Sequence, residues 1–239
     1  MKIFKKERSK SMNGKNIKKY VKYAFGEIIL VVIGILIAVG INNWNQQNQL
    51  NQANIELREN VINQLIEDIV AIESYEKQLD TLQNNYLNIL DKEHDKSKLK
   101  RGSVIETLLF KVNTMDMNTH VINMIDNANL NQSKASEQLL NLSSVYKIHL
   151  EEIKSVEKLI FETITENLKE IERTQDWYAD FITDLICKED CINYVLTNTQ
   201  HKARMASLRF LYVNGYGSII SELKKNLLKY KESLQRIED

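Results

Sequence analysis

Tyr23-Ala24-Phe25-Gly26-Glu27-Ile28-Ile29-Leu30-Val31-Val32-Ile33-Gly34-Ile35-Leu36-Ile37-Ala38-Val39-Gly40-Ile41-Asn42-Asn43-Trp44 decides how this chain is read. The run free of charge, Ile28 to Ile41, makes only about 21 Å of helix, short of a hydrocarbon core of about 30 Å. Carried from Tyr23 to Trp44, the same helix reaches about 32 Å and ends on aromatic rings, which sit well at the two membrane interfaces. The stretch therefore predicts a transmembrane helix over 23–44, with Tyr23 and Trp44 as interfacial anchors. The competing reading is a signal peptide cleaved after Ala38-Val39-Gly40, a small-x-small site. The long basic region ahead of the apolar core and the early Glu27 argue against it. No Cys follows closely enough for a lipoprotein anchor.

The net charge of zero over 239 residues conceals an asymmetry around this stretch. Residues 1–22 carry nine Lys/Arg against the single acid Glu7, a charge of +8, so the remainder is −8. Positive residues stay on the cytoplasmic side, whereas Asn42 to Asn54 holds no charge. The expected arrangement is a basic cytoplasmic tail (1–22), the span (23–44) and an extracytoplasmic helical bundle (45–239) on the inner membrane. With no Pro and 7 Gly, the chain lacks the turn formers that sandwiches, barrels and collagen-like chains need. Two Cys exclude a disulfide scaffold and a cysteine-rich zinc module.

Lys22-Tyr23-Ala24-Phe25-Gly26-Glu27-Ile28, running into Val31-Val32-Ile33-Gly34-Ile35-Leu36-Ile37-Ala38 and Ile41-Asn42-Asn43-Trp44-Asn45, resembles the signature of a large family of Bacteroidota membrane proteins that is a domain of unknown function. The likeness covers residues 15–45. It implies a short basic N-terminus, one membrane helix and a helical extracytoplasmic region, and it implies no catalytic residue. Gly40 stands where members of the family carry a polar residue, so the outer end of the helix departs from the pattern.

Beyond the span the chain has helical periods almost throughout. Ile55, Ile62 and Ile69, with Leu65, Ile72, Leu79 and Tyr86, repeat every seven residues to about position 90. Residues 91–102, rich in Asp, Lys and His and ending on Gly102, read as a loop. Short helices are expected near 103–113 and 119–129. Ser133 should cap a long helix running to about 186, with Leu139, Leu142, Tyr146, Ile153, Val156, Ile160, Ile164, Leu168 and Ile171 on one face. A last long helix starts within 192–200 and carries Met205, Leu208, Tyr212, Ile219, Leu223, Leu227, Tyr230, Leu234 and Ile237. Gly215 and Gly217 inside it predict a kink or a close crossing, because each costs about 1 kcal/mol against Ala. The fold class expected is all-α: one N-terminal transmembrane helix, then an antiparallel bundle of three long helices with two short helices at its distal end. Alternation would put 187–191 nearer the membrane than 91–102.

Residues with chemistry are sparse. Cys187 and Cys191 at i, i+4 lie within disulfide range of one another and would meet an oxidising compartment. A local disulfide is the leading reading; a redox switch stays open, and a metal site, with only His201 and Glu189 or Asp190 close by, lacks a zinc spacing. His149 falls on an apolar seam, as a hydrogen-bonded core histidine would. His94 lies in the loop, His120 near a helix start, and no Glu stands three before any His, as a di-iron bundle requires. Trp177, Tyr178 and Phe181 form an aromatic cluster that fills core or meets a partner. His201-Lys202-Ala203-Arg204 reads as a solvated basic face. No phosphate-binding, hydrolase or metalloprotease motif is present, so an enzyme is not expected, nor a cofactor, nor nucleic acid as a partner.

Within the span, Glu27 costs a few kcal/mol unless it snorkels, protonates or finds a partner. Glu27, Gly34 and Ala38 fall on one stripe, Gly34 and Ala38 forming a small-xxx-small pair suited to helix contact. The expected partners are thus the lipid bilayer and a protein partner or second copy meeting the transmembrane helix. The function expected is a structural or protein-interaction role in the envelope. The alternative is an extracytoplasmic ligand-sensing module, which the 22-residue tail would oblige to work through a separate membrane partner.

Overall fold

The computed structural model describes residues 14–90 and 103–237. Most of the basic tail, the 91–102 loop and His94 lie outside them. The chain divides into two compact units, Met1–Ala53 and Asn54–Asp239. Every regular element among the described residues is helical.

Helix α1 (Gly14–Leu90) contributes to both units and is 77 residues long. In the first unit its side chains from Val21 to Gln49 are all exposed. An 18-residue window here has a mean hydropathy of 2.7 with none of it buried. Such a helix is long and apolar enough to cross a membrane, and a stripe this large left bare in water would drive association.

In the second unit α1 buries Val61, Leu65, Ile69, Ile72, Tyr75, Leu82, Tyr86 and Ile89. The seven-residue seam is thus shifted in part: Ile55, Ile62 and Leu79 are half-buried, whereas Val61, Tyr75 and Leu82, which it omits, are core. There follow α2 (Ser103–Phe110) and α3 (His120–Asp126). Next comes α4 (Lys134–Thr174), capped by Ser133, whose side chain accepts the Ser136 N–H. It stops well short of 186. Gln175 turns to extended backbone, its side chain accepts from Trp177 Nε1 at 3.2 Å, and Thr174 Oγ1 donates back to the Glu170 carbonyl. Such local side-chain bonds compete with helix continuation. Short helices α5 (Tyr178–Asp184) and α6 (Glu189–Thr197) fill the interval. Asn198 then caps α7 (Thr199–Phe210), which passes through a π-helical turn, Leu211–Tyr216, into α8 (Gly217–Gln235).

Contacts between the long elements correct the expected alternation. Asn54 meets Ser136, and Asp68 meets Tyr146, so α1 and α4 run in the same sense. Against both runs the α7–α8 rod: Arg58 Nη1 donates to the Ile237 carbonyl, Lys224 bonds Glu76, and the Tyr86 and Tyr212 rings lie 6.1 Å apart. His149 with Asn226, and Asn167 with Arg204, repeat that antiparallel register along α4. Two long helices can be parallel here because residues 103–131 travel back along them. The two short helices are therefore not together at one distal end. Phe110, closing α2, stacks on Phe181 of α5, while Asp126, closing α3, bonds Ser143 and Lys147 low on α4. At about 1.5 Å per residue, the part of α4 between Lys147 and Thr174 separates these two ends by about 40 Å. Residues 187–191 consequently lie at the end of this unit opposite Asn54.

The returning segment, residues 111–119, makes no regular structure, and its backbone needs partners. Three tyrosines supply them. Tyr75 Oη donates to the Asn113 carbonyl at 2.7 Å, Tyr212 Oη accepts the Asn113 N–H at 2.9 Å, and Tyr216 Oη accepts the Met115 N–H at 2.8 Å. Burial pushes all three phenols above the usual tyrosine range. The π turn sets Tyr212 and Tyr216 into the core together, and Gly217 follows at the close crossing. A Cβ there would lie 2.6 Å from Leu79 Cδ2 and 3.2 Å from the Tyr212 carbonyl oxygen.

Candidate functional site

At the Thr174 end of the second unit, α4, α5, α6 and α7 converge on a buried polar cluster beneath an open groove. The cluster is built from three helices. Asn167 sits on the apolar stripe of α4 between Ile164 and Ile171 and is 1% exposed; His201, one turn before Met205 on α7, is fully buried. Arg204 Nε donates to Asn167 Oδ1 at 2.7 Å, and its Nη2 donates to Tyr194 Oη at 3.3 Å. Arg204 can only donate, so the oxygen of the Asn167 amide faces it. His201 Nδ1, 3.2 Å from that oxygen, must then carry the hydrogen. Its Nε2 is left as a buried lone pair without a partner among the described residues. Burial, reinforced by the Arg204 charge, pulls the imidazole pKa down to about 4, so the ring is neutral near pH 7.

An aromatic ladder joins this cluster to the surface. Phe110 stacks on Phe181 at 5.5 Å, Phe181 meets the edge of Trp177 at 6.0 Å, Trp177 meets Tyr194 at 5.7 Å, and Tyr194 meets the His201 ring at 5.2 Å. Above Trp177 and Tyr194 opens a groove of about 490 Å³, whose rim is polar: Gln175, Asp176, Asp190, Asn193, Thr197 and Asn198. Such a site can bind.

The aromatic cluster expected at Trp177, Tyr178 and Phe181 is mainly a packing element, with Phe181 buried and Trp177 half-buried. Cys187 and Cys191 are both buried and joined by a disulfide with Cα atoms 5.2 Å apart. It ties the start of α6 to the turn at Leu185, a non-glycine residue at φ 55°. The turn leaves Ile182, Leu185 and Ile186 exposed. Lys188 is held by Asp180 at 3.3 Å and Asp184 at 3.6 Å, which raises its pKa, led by the Asp180 bond. The reading of 201–204 as a solvated face is corrected at His201, which is core, and at Arg204, which is bonded inward. His201, Met205, Leu208 and Tyr212 share one helical stripe, and that spacing was the signal available. His149 is buried with Nδ1 3.0 Å from Glu152 and Nε2 3.1 Å from Asn226. His120 is exposed. No cluster of three His, Cys, Asp or Glu able to hold a metal occurs among the described residues. Glu27, Gly34 and Ala38 are exposed on α1, and space is open around Gly34. Tyr23 and Trp44 are exposed at the two ends of the apolar stretch.

These features define an all-helical protein with one helix long and apolar enough to span a membrane and a separate compact unit bearing a polar groove. Residues 27–193 match the Family of unknown function (DUF6090), and the chain belongs to that family. No curated protein and no solved structure matches it.

Proposed function

We propose that this is a bitopic inner-membrane protein that holds its Asn54–Asp239 unit outside the cytoplasm as a non-catalytic interaction module of the cell envelope. The observation that carries the reading is the bare apolar window of α1, set directly after a segment of charge +8. Charge on that side favours retention in the cytoplasm. The Cys187–Cys191 disulfide supports an oxidising compartment for the second unit. The anchor motif of residues 15–45 supports a place among single-pass envelope proteins of Bacteroidota. Within the bilayer, the stripe of Glu27, Gly34 and Ala38 supports contact with a second helix, from a partner or another copy. A second reading, a ligand-sensing module acting through a separate membrane protein, draws on the polar groove.

Protease added to spheroplasts, with the chain carrying an epitope after Asp239, tests the topology. The reading expects the epitope to be digested and the anchored remainder to stay in the pellet after carbonate extraction. Full protection of the epitope, or release of the intact chain by carbonate, would overturn it.

A further inference from the structure

We propose that the groove between the end of α4 and α6 is a binding site for an organic ammonium group, with Trp177 and Tyr194 as its aromatic wall and Asp176 and Asp190 as its counter-charges. The argument turns on which lining groups are already engaged. Thr174 Oγ1 donates to the Glu170 carbonyl and Thr197 Oγ1 to the Asn193 carbonyl. Gln175 accepts from Trp177 Nε1 and donates to Thr174 Oγ1, and Asn198 Oδ1 caps α7 through the His201 N–H. A neutral polyol would draw on those groups as donors, and both threonine hydrogens and one Gln175 amide hydrogen are already engaged.

What remains are the carboxylates of Asp176 and Asp190 and the amide of Asn193, none with a side-chain partner among the described residues. The cations on neighbouring elements are bonded elsewhere: Arg173 to Glu170, Lys188 to Asp180 and Asp184, Arg204 to Asn167. No basic side chain lines the groove among the described residues, which disfavours an anion, and no aliphatic side chain does, which disfavours a purely apolar ligand. An ammonium on a short carbon stem satisfies both features. Its charge meets two open carboxylates, and an aromatic face within about 6 Å attracts a cation. Arg204 and Asn167 lock Tyr194 from beneath, so the wall is preorganised. A groove of about 490 Å³ holds more than the ammonium itself and admits its stem. The ammonium could belong to a free aliphatic amine or to a lysine side chain of a protein partner. The proposal does not depend on which side of the membrane the unit faces.

Calorimetric titration of the full chain in detergent micelles at fixed ionic strength, with 1,4-diaminobutane, a lysine-containing peptide and uncharged 1,4-butanediol, tests it. Saturable 1:1 binding of the diamine, with none of the diol, is expected. Asp176→Asn with Asp190→Asn, both exposed positions outside the core, should weaken binding by about tenfold. Glu166→Gln with Glu222→Gln, the same charge change at exposed sites elsewhere, should leave it within about twofold. Tighter binding of the peptide than of the diamine would assign the ammonium to a protein partner, and the reverse to a free amine. Absence of saturable binding by both amines, equal binding of the diol, or equal loss in the two double variants would each overturn the proposal.

Discussion

Neutral, sealed His201 should make the stability of the second unit depend on pH in a way that one substitution removes. In the unfolded chain the imidazole titrates near its ordinary value of about 6.5. In the folded unit it does so at about 4, because burial and the Arg204 guanidinium oppose the charged form. A proton added at Nε2 would find no acceptor among the described residues, and Nδ1–H is already committed to Asn167. The folded pKa lies below the unfolded one, so between these values the unfolded chain binds the extra proton, and stability falls as pH falls through that window. Below about pH 4 both states are charged and no further loss follows from this group. A shift from 6.5 to about 4 is worth about 3 kcal/mol, an upper figure because partial opening of the site relieves it. Urea unfolding followed by far-UV circular dichroism, on the wild type and on His201→Gln, isolates the contribution. Glutamine carries no charge at any of these pH values. The wild type should therefore lose about 2–3 kcal/mol relative to the variant between about pH 7.5 and about pH 4. A difference between the two proteins that stays constant to within about 0.5 kcal/mol over that range would refute a buried, neutral His201.

Tyr146→Phe should cost about 1–3 kcal/mol, because it removes the 2.5 Å hydrogen bond on the buried Asp68 and leaves Gln64 as that carboxylate's remaining donor. Thermal unfolding should show a drop of about 2–4 °C per kcal/mol, whereas Tyr230→Phe, which removes no hydrogen bond among the described residues, should be silent. At the crossing of α1 and α8, Gly217→Val should destabilise by about 2 kcal/mol or more, and Gly217→Ala by less, helix propensity offsetting part of the clash. Leu79→Ala should reduce the valine penalty in a double-mutant cycle, and additivity of the two would refute the contact. Replacing Cys187 and Cys191 together with Ser should cost about 2 kcal/mol, the value for so short a closed loop; unchanged urea midpoints would argue against a stabilising bond.

What could be read from the sequence is what periodicity and composition carry. The 23–44 stretch is legible because its central run, residues 28–41, is free of charge and apolar around its whole circumference. Ser133 is legible as a cap because its hydroxyl substitutes for a missing backbone partner at a helix start, and Gly217 because two glycines in one helix interior need a reason. Periodicity says which face of a helix is apolar and nothing about its direction. The parallel sense of α1 and α4 was therefore invisible, being set by residues 111–119, whose lack of pattern gave no hint of their path. Of the three tyrosines that partner that segment, on α1 and the π turn, only Tyr212 falls on a predicted apolar seam, while Tyr75 and Tyr216 lie on none. Each puts its ring in the core and its oxygen on the backbone of residues 113–115.

The site fails to show in the sequence for a related reason. Asn167 and His201 occupy apolar stripes 34 residues apart, and each alone looks like a minor flaw in an otherwise regular helix. A buried amide or imidazole without a partner costs about 1–3 kcal/mol, so two such positions on helices that pack together imply that they face one another. Asn167 on the Ile164–Ile171 stripe and His201 on the Met205–Tyr212 stripe satisfy that condition, and pairing them also fixes the antiparallel register of α4 and α7. Polar residues that interrupt an apolar stripe are thus the more informative constraint in this chain. Leucines and isoleucines can slide past one another by a turn with small loss, but Arg204, His201 and Tyr194 can satisfy Asn167 and each other in one register alone. The same network that fixes the register also holds Tyr194 rigid under the groove, so the alignment of the helices and the preorganisation of the candidate binding site have a common physical origin.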